Sequence, residues 1–385
     1  MDTDALPAKP TSRLYFADHL RAALVILVVV HHISLMYSAA GAFYYIEPPP
    51  PAVFPNGVLR LLLSIFVLFN QAFFMGALFL IAGYFTPGSF ERKGPGPYLK
   101  DRLIRLGLPT LAFIFILSPI AMIGLYVMPS SLTGITGPFT YRPGIGPLWF
   151  VEILIYFSIG YVAWRLIARR LSAKVPSPSA AVDLAFPRFW IIAAFVIALA
   201  LASYLMRMVV PIGTTVPYVD FPTLSYLPQY LSFFVLGIVA YRRGWFGLVP
   251  DSAGKWGFIA AGVATVVLLP IALIGGGVGF EGRGNWHSLL YALWDSTVAV
   301  GMFLGLITLF RRKYNLKTRL GTFLSQQSFA VYVVHSPVIV LLAIALRDVH
   351  PNFFLKFLLV ALIGVPLCFA VAYLIRRIPG VARAV

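Results

Sequence analysis

Inside the long apolar runs of this 385-residue chain, six side chains that can carry charge or exchange protons stand out: Arg21, His31, His32, Glu152, Asp295 and His335. Asp18 sits at the edge of the first run, and the amides Asn70 and Gln71 lie in the second. Ionisable groups are expensive in hydrocarbon, so each is a candidate functional residue. Arg21 and His32 are eleven positions apart, which at about 100° per residue returns to within about 20° of one helix face. Asp18 joins that stripe, whereas His31 lies about 100° away from it. A histidine is the side chain suited to take a proton from a hydroxyl near neutral pH. Guanidinium groups suit a phosphate-bearing ligand, and Arg102 and Arg105, at i and i+3, share a face from which both can grip the same phosphates.

The elements that must position these groups are membrane-spanning helices. The chain is 60% hydrophobic and 11% charged, against about 25% charged in a soluble domain. A soluble enzyme, a disordered scaffold and a disulfide-rich secreted module are thereby excluded. The single Cys368 leaves no intrachain disulfide and no cysteine metal cluster, and reads as a buried thiol. A span needs roughly 20 mostly apolar residues. Runs of that kind predict ten helices, at 20–39, 61–85, 106–127, 147–168, 189–209, 223–241, 256–275, 286–310, 324–346 and 353–375, with Pro222, Pro228 and Gln229 interrupting the sixth. The expected fold class is an all-α integral membrane protein in which residues 18–376 form one polytopic domain. Residues 1–17 and 377–385 are a cytoplasmic segment and tail, and no internal repeat is apparent.

Charge sets the expected orientation. Twenty-four of the 30 Lys and Arg residues fall on the side of the N-terminus, leaving Arg60, Arg142, Arg207, Arg283, Arg347 and Lys356 on the other. The positive-inside rule then puts both termini in the cytoplasm. The formal +17 needs no nucleic acid, because the anionic cytoplasmic leaflet accounts for it. Asp18 and Arg21 at the mouth of the first run are wrong for a cleavable signal peptide. The segments 47–56, 92–98, 174–187 and 275–285 read as turn-rich linkers, Trp149, Trp286 and Trp294 as outer-interface aromatics, and Gly83 as a close-packing position.

On that topology His32 lies about 16 Å deeper than Arg21, near the middle of a core about 30 Å thick, and His335 reaches a similar depth. Glu152 and Asp295 fall in the outer half. Arginines at the inner mouth, histidines at the middle and carboxylates beyond them form the gradient that a reaction straddling the membrane needs. The residue types leave Glu152 and Asp295 open between acceptor ligands, a proton relay and a structural pair. Asn70 and Gln71 read as interhelical amides, with Gln71 also a candidate acceptor contact. No metal is implied, since two histidine-bearing helices supply no third ligand. A proton-coupled secondary transporter is the alternative from another class. It explains the histidines and carboxylates but assigns the inner arginines no task beyond anchoring.

Four motifs resemble the bacterial membrane acyltransferase-3 family, and within it the branch that includes the glucan succinyltransferases. They are DHLRAALVILVVVHHI at 18–33, FFMGALFLIAGYF at 73–85 followed by YLKDRLIRLGLP at 98–109, GPLWFVEILIYFS at 146–158, and SFAVYVVHSP at 328–337. In the last, Phe329 stands where the family usually has Tyr. The resemblance implies a ten-helix bundle that moves an acyl group from cytoplasmic acyl-CoA to a hydroxyl of an extracytoplasmic acceptor, usually a carbohydrate, in the bacterial inner membrane. It maps the family's essential arginine and histidine onto Arg21 and His32, its Arg-x-x-Arg onto Arg102 and Arg105, and its span-four glutamate onto Glu152. Asp18, Arg21, His32 and His335 are then the expected catalytic set, Arg102 and Arg105 the donor site, and Glu152, Asp295 and Gln71 the acceptor site. Acyl-CoA, the acceptor and membrane lipids are the expected partners, with no permanently bound cofactor. Direct transfer and an acyl-enzyme intermediate both remain open.

Overall fold

A computed structural model describes residues 14–38, 43–48, 55–141, 143–172, 185–215, 224–275, 277, 279–349 and 352–381. Arg142, residues 1–13, most of the 174–187 linker and residues 382–385 lie outside these. Among the described residues are ten helices long and apolar enough to cross a membrane, and no strand. They are α1 (Tyr15–Tyr37), α2 (Asn56–Lys93), α3 (Pro95–Val127), α4 (Gly146–Leu171), α5 (Phe189–Val209), α6 (Leu224–Arg242), α7 (Asp251–Leu273), α8 (Trp286–Lys313), α9 (Arg319–Ala345) and α10 (Phe353–Ile375). The most buried are α1, α2, α8 and α9, which form the inner set, while α3, α5, α7 and α10 lie at the rim. Five of the candidate polar groups on the spans, Asn70, His31, Gln71, Asp295 and His335, belong to that inner set, as do Arg21 and His32. Helices carrying polar side chains must face the bundle to avoid lipid.

Several helices outrun their apolar cores. α2 continues past Phe85 for two more turns because Phe90 is buried there against Tyr98 and Tyr161. The linker expected at 92–98 shrinks to Gly94, whose φ of 78° ends α2, and Pro95 opens α3 at once. α3 loosens into five-residue π-helical stretches at Leu103–Gly107 and Phe113–Leu117. Each precedes or overlaps the turn where Pro109 or Pro119, lacking an amide, leaves a carbonyl without its usual donor. The sixth span begins as a 3₁₀ turn at Leu224–Tyr226 and is tied to α2 by Gln229, which donates to the Ala72 carbonyl at 2.7 Å.

Two pairs of glycines let backbones touch. A Cβ on Gly83 would stand 2.1 Å from the Phe234 carbonyl oxygen, and one on Gly237 would stand 2.1 Å from that of Leu80, so α2 and α6 cross main chain to main chain. Gly257 and Gly301 do the same for α7 and α8. Such contacts are what drive packing where lipid is as apolar as leucine. The tryptophan reading needs correction: Trp294 is fully buried with its indole N–H on Thr265 at 3.2 Å, and Trp149 is buried against Tyr230, whereas Trp286 is exposed. Gly83→Ala and Gly237→Ala are each expected to lower Tm in detergent or abolish monodisperse protein, since overpacking costs about 1–3 kcal/mol. Gly262→Ala, at a position with no neighbour within 4 Å, is expected to leave Tm unchanged or raise it; thermal unfolding of the three variants is the check.

Candidate active site

The stripe on α1 meets a matching stripe on α9. Arg21 reaches the Ser325 carbonyl at 3.4 Å, and eleven residues further His32 meets His335. The two helices run in the same direction, and the eleven residues from Arg21 to His32 lie beside the ten from Ser325 to His335, about three turns on each helix, so both contacts are made by one pair of faces. Asp18 pairs with Arg21 at 3.2 Å. His31 faces away, its buried ring 4.8 Å from that of Phe74 on α2.

The bonds of the two histidines assign their tautomers. His335 Nδ1 lies 2.7 Å from the Tyr332 carbonyl, which can only accept, so Nδ1 carries the proton and Nε2 is left with its lone pair. His32 Nδ1 lies 2.9 Å from the Val28 carbonyl and 3.3 Å from that lone pair, so it is also protonated and donates toward both. His32 Nε2 is therefore the unprotonated nitrogen. The pair presents one basic nitrogen, backed by two acceptors that stabilise the imidazolium once a proton arrives. Buried His335 is held by α9, while His32 keeps a partly exposed edge. Tyr332 also ties α9 to α4, because its hydroxyl donates to the Pro147 carbonyl.

At the end of the bundle where α1 begins, a cavity of about 500 Å³ opens between α1, α2, α3, α4 and α9. Arg21, Arg102, Arg105 and Arg376 line it, and Phe329 and Tyr332 form part of its wall. The guanidinium groups are oriented rather than loose: Arg102 Nε donates to the Tyr98 hydroxyl at 3.3 Å, Arg105 pairs with Asp101 at 3.0 Å, and Arg376 donates to the Gln326 carbonyl at 2.6 Å. Four guanidinium groups lining one cavity can hold an anion there. The cavity reaches Tyr332, one helical turn before His335. Arg376 is the member that sequence reading missed. It was counted only as a topology charge, although a base at that depth was the available signal.

The match of a family model for an acyltransferase domain, that of the acyltransferase-3 family, runs over residues 14–377. The chain belongs to that family. No curated protein matches it. As an acyltransferase-3 protein with ten apolar helices it is a multi-pass membrane acyltransferase, and the acyl-transfer reading displaces the transporter.

Two of the three expected acceptor residues in this acyltransferase, Gln71 and Asp295, are joined through Tyr230, Tyr226 and Arg207. Glu152 accepts from the Tyr156 hydroxyl at 2.6 Å, and Gln71 donates to the Tyr230 hydroxyl at 3.3 Å. Asp295 is fully buried in an ion pair with Arg207, so its carboxylate is occupied rather than open to a ligand. Arg207 lies under the rings of Tyr226 and Tyr291, and Tyr226 stacks in turn on Tyr230. The charge count had set Arg207 among the outer-side charges, at the end of the fifth span predicted at 189–209; the structure keeps it in that span but fully buried. Lys356, likewise counted outside, is buried in α10 and bonds Glu47 at 2.7 Å and the Arg347 carbonyl at 3.0 Å. Burial, and then the Glu47 carboxylate, push the phenol of neighbouring Tyr45 above its ordinary value, so it remains the donor of its 2.9 Å bond to Glu47.

Asp295→Ala is expected to destabilise the protein by about 3–5 kcal/mol, because it strands the Arg207 charge in an apolar interior. Arg207→Met combined with Asp295→Leu is expected to recover most of that loss. Unfolding in detergent measures both, and a double variant no more stable than the single one would contradict a purely structural pair.

Proposed function

We propose that this acyltransferase carries an acyl group from cytoplasmic acyl-CoA to a hydroxyl of an extracytoplasmic acceptor, most simply a carbohydrate, across a bacterial inner membrane. The end of the bundle that holds the four arginines faces the cytoplasm. The observation that carries this reading is the arginine-lined cavity reaching Tyr332, whose carbonyl orients His335 and through it His32. The phosphates of the donor bind Arg102, Arg105, Arg376 and Arg21, and the thin pantetheine arm runs inward toward the histidine pair.

Chemistry follows from the free nitrogen. His32 Nε2 takes the proton of the acceptor hydroxyl as its oxygen attacks the thioester carbonyl. The C–S bond breaks, and the imidazolium returns the proton to the departing CoA thiolate. His335 and the Val28 carbonyl hold the charged ring in place meanwhile. An acyl-enzyme sequence would place the base at the same nitrogen. Glu152 and Gln71 act on the acceptor side, and Asp295 supports them only through Arg207 and the tyrosines. Asp18 sets the orientation of Arg21.

The reading is tested by following CoA thiol release from acetyl-CoA and succinyl-CoA with a soluble glucan oligosaccharide as acceptor. His32→Ala is expected to lower kcat by about 10²–10⁴-fold, the range of a lost general base, in folded protein. His335→Leu is expected to lower kcat with little change in KM for the donor, since it removes support that matters only when His32 is charged. Undiminished turnover by His32→Ala would overturn the assignment.

A further inference from the structure

At the far end of the histidine site lies a segment that the mechanism above does not use. After α1 ends, residues 43–48 turn back into the bundle and bring the ring of Phe43 to 4.6 Å from that of His32, about five residues inward of the end of the helix. His335 contacts the His32 ring as well, at 4.9 Å. Nothing in the local sequence compels an extended segment to double back, so the clamps along it matter. The Tyr44 carbonyl packs where a Cβ on Gly124 would stand 2.3 Å from it, and the Tyr44 hydroxyl where one on Gly146 would stand 2.2 Å away. The Glu47 amide donates to the Met36 carbonyl at 2.9 Å. Its carboxylate joins Tyr45 to Lys356, and Lys356 in turn holds the Arg347 carbonyl.

A buried ion pair between a loop and the first turn of α10 is expensive, and such pairs are poor general stabilisers. They do fix one geometry among several. Here the fixed geometry is that of an aromatic ring against a histidine. An aromatic face is also a surface on which the apolar face of a sugar ring packs, and a wall that keeps water from a thioester.

We propose that Phe43 is a positioning residue that forms the far-end wall of the His32 site, held there by the Glu47–Lys356 pair, so that an alcohol acceptor docks against it while bulk water is kept from His32. The role assigned to the wall rests on the acyl-transfer reading. Its position does not, and the test separates the two. Removing the ring or its clamp opens the approach to residue 32 from the far end. It also raises acceptor-independent hydrolysis of the thioester relative to transfer.

The experiment uses the full chain with Cys368→Ala and His32→Cys, purified in detergent, and follows reaction of the introduced thiol with a charged methanethiosulfonate reagent. Phe43→Ala and Lys356→Met in that background are each expected to speed labelling at least tenfold, while Phe43→Tyr, which keeps the ring, labels at the parent rate. If Lys356→Met fails to fold, the Phe43→Ala and Phe43→Tyr pair decides alone. Equal labelling in Phe43→Ala and its parent would overturn the wall. In the His32 protein, Phe43→Ala is expected to raise the ratio of acetyl-CoA hydrolysis to transfer at least fivefold, and an unchanged ratio would overturn the water-excluding role. Accelerated labelling in a chain that turns over no acyl-CoA in any form would uphold the wall and count against the proposed function instead.

Discussion

An unpaired polar group or charge inside hydrocarbon costs several kcal/mol, and the inner helices of this bundle are arranged around the groups that incur that cost. Arg207 finds Asp295 between α5 and α8, and Lys356 finds Glu47 between α10 and the segment after α1. His32 and His335 find each other and two backbone carbonyls between α1 and α9. The same pressure that makes a polar side chain rare in a span makes its neighbours specific.

The site is thus organised along the membrane normal by helix geometry. Register between the parallel α1 and α9 places Arg21 by Ser325 and His32 by His335. The arginine cavity occupies one end, the histidine pair the interior, and Phe43 the opposite approach. Glycine crossings at Gly83–Gly237 and Gly257–Gly301 hold α2 against α6 and α7 against α8, so that the inner helices do not depend on lipid to stay in contact. The reaction proposed here needs a donor and an acceptor to meet without an aqueous channel joining their compartments. In that proposal the meeting point is the basic nitrogen of His32, between the arginine cavity and Phe43.

Much of this was legible in the sequence. Ten apolar runs announced ten helices because hydrocarbon demands about 20 apolar residues per crossing. Period alone put Arg21 and His32 on one face and His31 off it. What stayed hidden depends on partners distant in the chain. Arg207 and Asp295 are separated by 88 residues, and Glu47 and Lys356 by 309. Arg207 and Lys356 were counted among the outer-side charges because only their partners reveal that they are buried. Trp149 and Trp294 were misplaced for the same reason, since an indole suits an interface and a hydrogen-bonded interior alike. The inward turn of residues 43–48 carries no sequence signal beyond its aromatic and acidic residues.

In the proposed reaction four arginines guide a thioester donor to the histidine pair. The most direct measurement is equilibrium binding of acetyl-CoA and succinyl-CoA to the purified protein, beside a variant carrying Arg102→Gln and Arg105→Gln. Binding is expected to be saturable, to weaken at least tenfold in the variant and to fall further with added salt, as charge-assisted contacts to phosphate do. Equal affinity in both proteins, or no binding to well-folded wild type across these thioesters, would contradict it.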